Sequence, residues 1–220
     1  MSSIINVDFV YEKESDIERI ARSIRTLHEQ RSDSEVLGSD LRHPDHFNVK
    51  SVGKIGTIDW DFYPYSEDDE DRFTTVPELP TVEALVSGVP LDTDDEFDPA
   101  MILDVVRQTY ADEKQPAYVF GLDEGHAEII GDDGPESRAV TAKTLENGQI
   151  NAVSWLMLFP PNLVASYGQE FLLDAPAWRT EELTDGAILI VACSDPTDFG
   201  ALNGSLPDLK TYFGTEHPHL

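Results

Sequence analysis

The chain has a single cysteine, Cys193, among its 220 residues. One thiol excludes an internal disulfide and a cysteine-rich zinc site. The N-terminal segment MSSIINVDFVYEKE has no basic region, no long apolar run and no twin arginine, so it shows no export signal. The longest nearly unbroken apolar run, 153–159, is far shorter than the roughly 20 residues that span a bilayer. These absences predict a soluble protein of the cytoplasm.

Basic residues are also scarce. The 15 lysine and arginine residues stand against 43 aspartate and glutamate residues, which gives a net charge of -28. Because such a surface repels phosphate groups, neither nucleic acid nor an anionic membrane is expected as a partner. Apolar residues make up 40% of the chain, which is enough to build a core despite the charge.

The negative charge is spread along the chain rather than gathered in one tail. At low salt, repulsion between these charges lowers the stability of a compact state. In molar salt the screening length falls to about 3 Å, so most of the repulsion disappears. The composition resembles that of cytoplasmic proteins of haloarchaea that accumulate salt. We therefore expect a halophilic protein.

Two acidic runs, SEDDEDRF at 66–73 and DTDDEFD at 92–98, raise the question of a calcium site. In the second run, Phe97 stands where a calcium-binding EF-hand loop needs glycine, and Leu103 stands where that loop needs its closing glutamate. An EF-hand is therefore excluded, and weak cation binding by a flexible cluster stays open. The interpretation we favour is a solvated loop excursion over 66–98.

The first half of the chain begins with a strand predicted over 3–12. A helix follows over 14–31, with Ser15 as the N-cap and Glu18 completing a capping box. The remaining predictions for this half are a loop over 32–48, a strand or tight hairpin over 51–65, and at most a short helix over 81–86 within the excursion.

The second half begins with a helix from Pro99 to Asp112, where Asp98 is the expected cap. Further predictions are strands over 116–122 and 126–131, an element of uncertain type over 137–149, a strand or short helix over 151–159, a helix over 162–174, a β-hairpin from 177–183 to 187–194, and one short helix in the tail from 198 to 220. The hairpin turns at Thr184-Asp185-Gly186. The fold class is α+β: a single domain over 1–220, mainly antiparallel sheet with packed helices and a C-terminal hairpin.

Four residues form the best candidate for chemistry. Asp59 and Asp61 make a D-x-D pair that can hold a divalent ion, and alternation in a strand places both on one face, opposite Trp60. His126 and Glu128 form H-x-E, but the later P-C-x-x-C of a zinc deaminase is missing. No Gly-rich phosphate loop accompanies them. We predict no metal, cofactor or catalytic residue, and keep these four as an alternative metal site.

Other candidates have simpler explanations. His43 and His46 are spaced as metal ligands can be, but they lie on a proline-containing segment. Cys193 closes an apolar strand and is expected to be a buried, inert thiol. The arginines of the first predicted helix could bind an anion, and pairing with the protein's own carboxylates is the better explanation.

The segment VSWLMLFPPNLVASYGQEFLLDAPAWRTEELTDGAILIVACSDP, 153–196, combines an apolar stretch containing Trp155, a proline-started helix and a strand–turn–strand. This order resembles the C-terminal half of small immunity proteins from bacterial polymorphic-toxin systems. The resemblance implies an α+β fold without enzymatic activity, and it supplies no functional residues. It covers a fifth of the chain, and the acidic excursion departs from it.

Two functions therefore stand as hypotheses. The first is a non-catalytic, cytoplasmic, immunity-like protein of a halophile that binds a protein partner. The alternative is a metal-dependent hydrolase or transferase that uses Asp59, Asp61, His126 and Glu128. The two are separated by whether these four side chains converge on one pocket.

Overall fold

A computed structural model gives the positions of the residues described below. The described residues are 5–31, 34–37, 46–51, 57–65, 76, 78–87, 99–111, 116–123, 139–215 and 217–218. The chain divides into two compact units, Met1–Pro116 and Ala117–Leu220. Both acidic runs lie outside the described residues. That residues 1–220 form a single domain stays a prediction.

The described part of the first unit is a sheet with two helices. Its elements are, in chain order, β1 (Ile5–Val10), α1 (Ile17–Glu29), β2 (Ser34–Leu37), β3 (His46–Ser51), β4 (Thr57–Tyr63), β5 (Thr81–Ser87) and α2 (Pro99–Tyr110). The strands lie in the order β2-β3-β4-β5-β1, and each neighbouring pair is antiparallel.

One face of this sheet is apolar because alternate residues of its strands are apolar. Val7 of β1 lies opposite Ala84 of β5, which lies opposite Trp60 of β4, and all three side chains are buried. The neighbouring rows of this face repeat the pattern with aliphatic and aromatic residues. The His28 ring of α1 lies 5.6 Å from the Trp60 ring, so α1 covers this face.

Helix α1 forms because its apolar residues recur every three or four positions. Ile17, Ile20 and Ile24 are buried on one side. The side chain of Asp16 caps the helix by accepting a hydrogen bond from the Arg19 amide at 3.0 Å. The predicted cap, Ser15, was therefore wrong by one position, because Asp is an equally good cap and stands next to the first buried residue.

The exposed side of α1 carries the predicted pairs between arginines and carboxylates. Arg22 lies 3.7 Å from Glu18, and Arg25 lies 3.0 Å from Glu29. Both pairs join residues four apart on the helix, the spacing at which side chains meet. The prediction of internal pairing is confirmed for these two arginines.

The second unit combines strands, short helices and a long last helix. Its elements are β6 (Tyr118–Asp123), α3 (Ala142–Glu146), β7 (Ala152–Val153), β8 (Leu156–Phe159), α4 (Pro161–Tyr167), α5 (Gln169–Leu173), β9 (Arg179–Glu182), β10 (Ile188–Val191), α6 (Phe199–Phe213) and β11 (His217–Pro218). Strands β6, β8, β10 and β9 are neighbours in that order and antiparallel, and β7 pairs with β11 in parallel.

The core of the second unit is built on β8 and β10. Every residue of LMLF in β8 and of ILIV in β10 is buried, which explains why these strands read as continuous apolar runs. The Trp155 indole nitrogen donates to the Cys193 carbonyl at 2.9 Å, so the buried indole keeps its hydrogen bond. The stacked rings of Phe159 and Phe213 join β8 to α6.

The predicted helix over 162–174 is interrupted. Gly168 has a φ of +93°, a conformation that ends α4 before α5 begins. The tail helix α6 is longer than predicted, at 15 residues. The side chain of Asp198 caps its start, Pro207 lies inside it, and Gly214 ends it with a φ of +67°.

The α+β class with a mainly antiparallel sheet, packed helices and a C-terminal hairpin is confirmed. Two further local predictions were wrong. The predicted loop over 32–48 holds β2 and the start of β3, short strands whose backbone pairing the sequence pattern does not show. Residues 81–86 form β5 rather than a short helix, because Val82, Ala84 and Val86 alternate onto the apolar face. No helix among the described residues is long and apolar enough to cross a membrane.

Candidate functional sites

Strand β4 places its two aspartates as the alternation predicts. Asp59 and Asp61 lie on one face and are half-buried, while Trp60 between them is fully buried on the other face. The shared face of the D-x-D pair is thereby confirmed. His126 and Glu128 lie outside the described residues, so their distance from this pair stays a prediction.

The strand register adds two carboxylates that the sequence analysis missed. Asp61 of β4 lies opposite Glu83 of β5, and Glu83 lies opposite Asp8 of β1. We call Asp8, Glu83 and Asp61 the carboxylate row. Asp8 is 1% exposed and Glu83 is 7% exposed, so two of its members are nearly closed to solvent. Ionised carboxylates at neighbouring cross-strand positions repel one another, a cost that the surroundings of the row must offset.

Tyr63 lies two residues after Asp61 in β4, so its side chain is on the same face as the carboxylate row. Burial raises the pKa of its phenol well above 10, and the negative charges of Glu83, Asp61 and Asp8 raise the pKa further. Its hydroxyl donates a hydrogen bond to Glu83, which also favours the protonated phenol. The phenol therefore stays protonated at neutral pH and serves as a donor beside the carboxylate row.

The signal for the missed residues lay in the strands themselves. Asp8 interrupts the apolar stretch INVDFV of β1, and Glu83 interrupts TVEALV of β5. A buried acid in an apolar strand is unusual and marks a candidate site. The helical interpretation of 81–86 concealed the shared face, because a helix does not place Glu83 beside Asp61.

The carboxylate row is not arranged as a metal centre. Among the described residues, no group of three or more His, Cys, Asp or Glu side chains could hold a metal ion. His43 lies outside the described residues, and His46 begins β3, where its backbone pairs with Asp61. The row can accept hydrogen bonds or protons.

Cys193 follows β10 and is buried, as predicted. Its thiol donates to the Asp195 carbonyl at 3.2 Å. Burial raises the pKa of the Cys193 thiol to about 11, and the negative charges of Asp195 and Asp198 act in the same direction. A thiol with this pKa is protonated at neutral pH and is a poor nucleophile.

Strand β9 forms an edge of the second unit's sheet. Within the described part of the chain it pairs with β10 on one side and has no neighbour on the other. Trp178 precedes it, and its amide extends the pairing by donating to the Ala192 carbonyl at 3.1 Å. The Trp178 side chain is 50% exposed, and it is the large hydrophobic side chain that stays exposed among the described residues.

No model of a protein family matches the chain, and no curated protein sequence matches it significantly. The resemblance to immunity proteins therefore depends on the segment 153–196 alone.

Proposed function

We propose that this protein is a non-catalytic protein of a halophile's cytoplasm, that it binds a protein partner, and that its role resembles that of immunity proteins. The observation that carries the proposal is the exposed Trp178 beside the edge strand β9. Tryptophan is the side chain most enriched at the energetic centres of protein interfaces. Exposing its ring costs solvation free energy, which contact with a partner recovers.

The edge strand supplies the second half of a docking surface. An edge strand can pair with an added strand, which is a common way of recognising an extended segment. Edge strands are often kept short and charged to prevent aggregation, and β9 has four residues with Arg179 and Glu181 paired at 2.7 Å. Trp178 favours docking over protection, because protection alone calls for polar residues.

The charge of the chain defines the partner's chemistry. A surface with a net charge of -28 offers carboxylates to basic side chains at contact distance and disfavours contact with acidic ones. We therefore propose a basic protein partner that adds a strand beside β9 and covers Trp178. In molar salt its contacts must be short-range, because charges are screened beyond about 3 Å.

The test uses immobilised parent protein, a Trp178→Ala variant and a control with Gln169→Ala, an exposed change on α5. A protein retained by the parent from an extract of the source cells in molar KCl is identified and purified. Calorimetry then measures its affinity for the three proteins. We expect a complex of fixed stoichiometry with a basic protein, weakened at least about tenfold by Trp178→Ala and unchanged by Gln169→Ala. Failure to form such a complex, or equal affinity for Trp178→Ala, would contradict the proposal.

The second candidate is a metal-dependent hydrolase or transferase that uses Asp59 and Asp61. The strand register adds Glu83 and Asp8 to the face that carries these two residues, but the described side chains do not group as metal ligands. Calorimetry with Mn²⁺ decides between the candidates. Our first proposal expects weak binding that is equal in the parent, in Asp61→Asn and in the control Asp174→Asn. Micromolar affinity lost in Asp61→Asn alone would favour the enzyme.

A further inference from the structure

The second unit contains a pocket that none of the preceding arguments uses. Its volume is about 480 Å³, within the range of small-molecule sites. Its walls are the segment 147–151 after α3, the last turn of α4 at Ser166 and Tyr167, and the end of α6 at 213–215. All of these residues belong to one compact unit.

The walls are formed where helices end, and this fixes the sign of their partial charges. The last carbonyls of a helix have no amide partner within it, so this end carries a partial negative charge. In α6, the amides of Gly214 and Thr215 both donate to the Lys210 carbonyl. The carbonyls of the residues after Lys210 therefore receive no hydrogen bond from these two amides. Helix α4 also ends at this pocket, at Ser166 and Tyr167. The last carbonyls of α3 are occupied by the amides of Asn147, Gly148 and Gln149, so α3 adds no free carbonyl.

No charged side chain lines the pocket among the residues that the structure describes. Glu146 precedes the wall at Asn147, and Lys210 lies one turn before Gly214, but neither lines it. Lys210 is the basic residue in the last turn of α6, and it stands outside the lining, so no described basic side chain occupies the pocket itself.

Two further features suit a cation that carries N–H groups and an apolar stem. The Oγ1 of Thr215, a residue of the lining, is buried and has no hydrogen-bond partner within the described chain, which leaves an unused acceptor beside the pocket. The rings of Tyr167 and Phe213 meet edge to face with centroids 5.8 Å apart. Aromatic rings attract cations through their faces and also pack against alkyl groups.

We propose that this pocket binds a small organic cation with a primary ammonium group. The ammonium donates to the carbonyl end of α6 and to the Thr215 oxygen, and its alkyl stem packs on Tyr167 and Phe213. The inference is independent of the proposed protein partner, because it uses no residue of β9.

The test is an NMR titration in which the backbone amide resonances of the protein are monitored. Every probe is added at the same fixed NaCl concentration. The probes are n-butylammonium, 1-butanol, butyrate and tetramethylammonium, which separate charge, sign and N–H donation. We expect n-butylammonium to shift the amides of Gly148 and Gly214 and to bind about tenfold tighter than 1-butanol or butyrate. Tetramethylammonium should bind more weakly than n-butylammonium, because it has no N–H to donate.

Variants place the binding in this pocket. Ser166→Lys tethers an ammonium at the wall and should abolish n-butylammonium binding, whereas Ala165→Lys adds the same charge to an exposed neighbouring position outside the lining. Thr215→Val keeps the shape of the side chain and removes the unpartnered oxygen. It should therefore lower the affinity for n-butylammonium severalfold and leave the affinity for 1-butanol unchanged. Absence of shifts with n-butylammonium, equal affinity for butyrate, or full affinity in both Ser166→Lys and Thr215→Val would overturn the proposal. If Ser166→Lys does not fold, Thr215→Val decides alone.

Discussion

The thiol of Cys193 shows how burial and charge together control one residue's chemistry. Its side chain is 5% exposed, and its pKa is raised to about 11. Because the thiolate is the reactive form, the folded protein should react with a disulfide reagent at pH 8 at least about a hundredfold more slowly than the unfolded protein. The rate of absorbance change with 5,5'-dithiobis(2-nitrobenzoate) measures this.

The control is the same reaction in guanidinium chloride, where the thiol has its ordinary pKa. A raised pKa in the folded state means that this thiol's contribution to stability is complete below its unfolded pKa and is lost as the pH rises towards 11. Equal rates for the folded and unfolded protein would show that Cys193 is accessible and that the strand end is misplaced.

At the scale of elements, the turn between β9 and β10 tests the hairpin. Gly186 has a φ of +88° and open space around its Cα, so a substitution there meets strain rather than a clash. Gly186→Ala should lower the free energy of unfolding by about 1 kcal/mol, and Gly186→Val should cost about 1–3 kcal/mol. Chemical denaturation measures both changes.

Gly204 provides the matched control. It lies inside α6, its φ is not positive, and an added Cβ also meets open space. Gly204→Ala should therefore stabilise the protein by about 0.5–1 kcal/mol, because alanine favours a helix over glycine. The same substitution is thus expected to have opposite signs at the two glycines. A Gly186→Ala variant as stable as the parent would contradict the hairpin turn.

The elements that the sequence predicted are those with strong local signals. The hairpin has Asp185-Gly186 between two β-rich runs, and α1 has isoleucines at helical spacing. Prediction failed where the outcome depends on distant residues. The strand at 81–86 contains helix-favouring residues, and its pairing with β1 and β4 overrides that preference. The length of α6 was missed because Gly200, Gly204 and Pro207 weaken a helical pattern.

The same limit applies to the candidate sites. Alternation alone placed Asp59 and Asp61 on one face, because strand geometry is local. Joining Asp8 and Glu83 to them requires the strand order and register, which sequence spacing does not supply. The pocket at the end of α6 was equally hidden, since its walls come from three separate stretches of chain. Exposure of Trp178 likewise depends on how the hairpin packs.

At the scale of the whole molecule, the charge of -28 makes salt concentration the main control on stability. We expect cooperative unfolding with a high melting temperature in molar KCl, and partial unfolding at low salt as the unscreened charges repel one another. Circular dichroism across a KCl series measures the change. Most of the increase in melting temperature should occur between low salt and about 1 M KCl. At that concentration the screening length has already fallen to about 3 Å.

A charge-reduced variant separates this repulsion from general effects of salt on apolar surfaces. Glu146, Glu170, Glu182 and Asp208 are exposed, so changing each to its amide removes four charges without disturbing the core. This variant should melt at a higher temperature than the parent in low salt and depend less on KCl, because less repulsion remains to be screened. At molar KCl the two proteins should melt at similar temperatures. If the parent melts at the same temperature from low to molar KCl, self-repulsion does not limit its stability, and the proposal that it is adapted to a salt-filled cytoplasm fails.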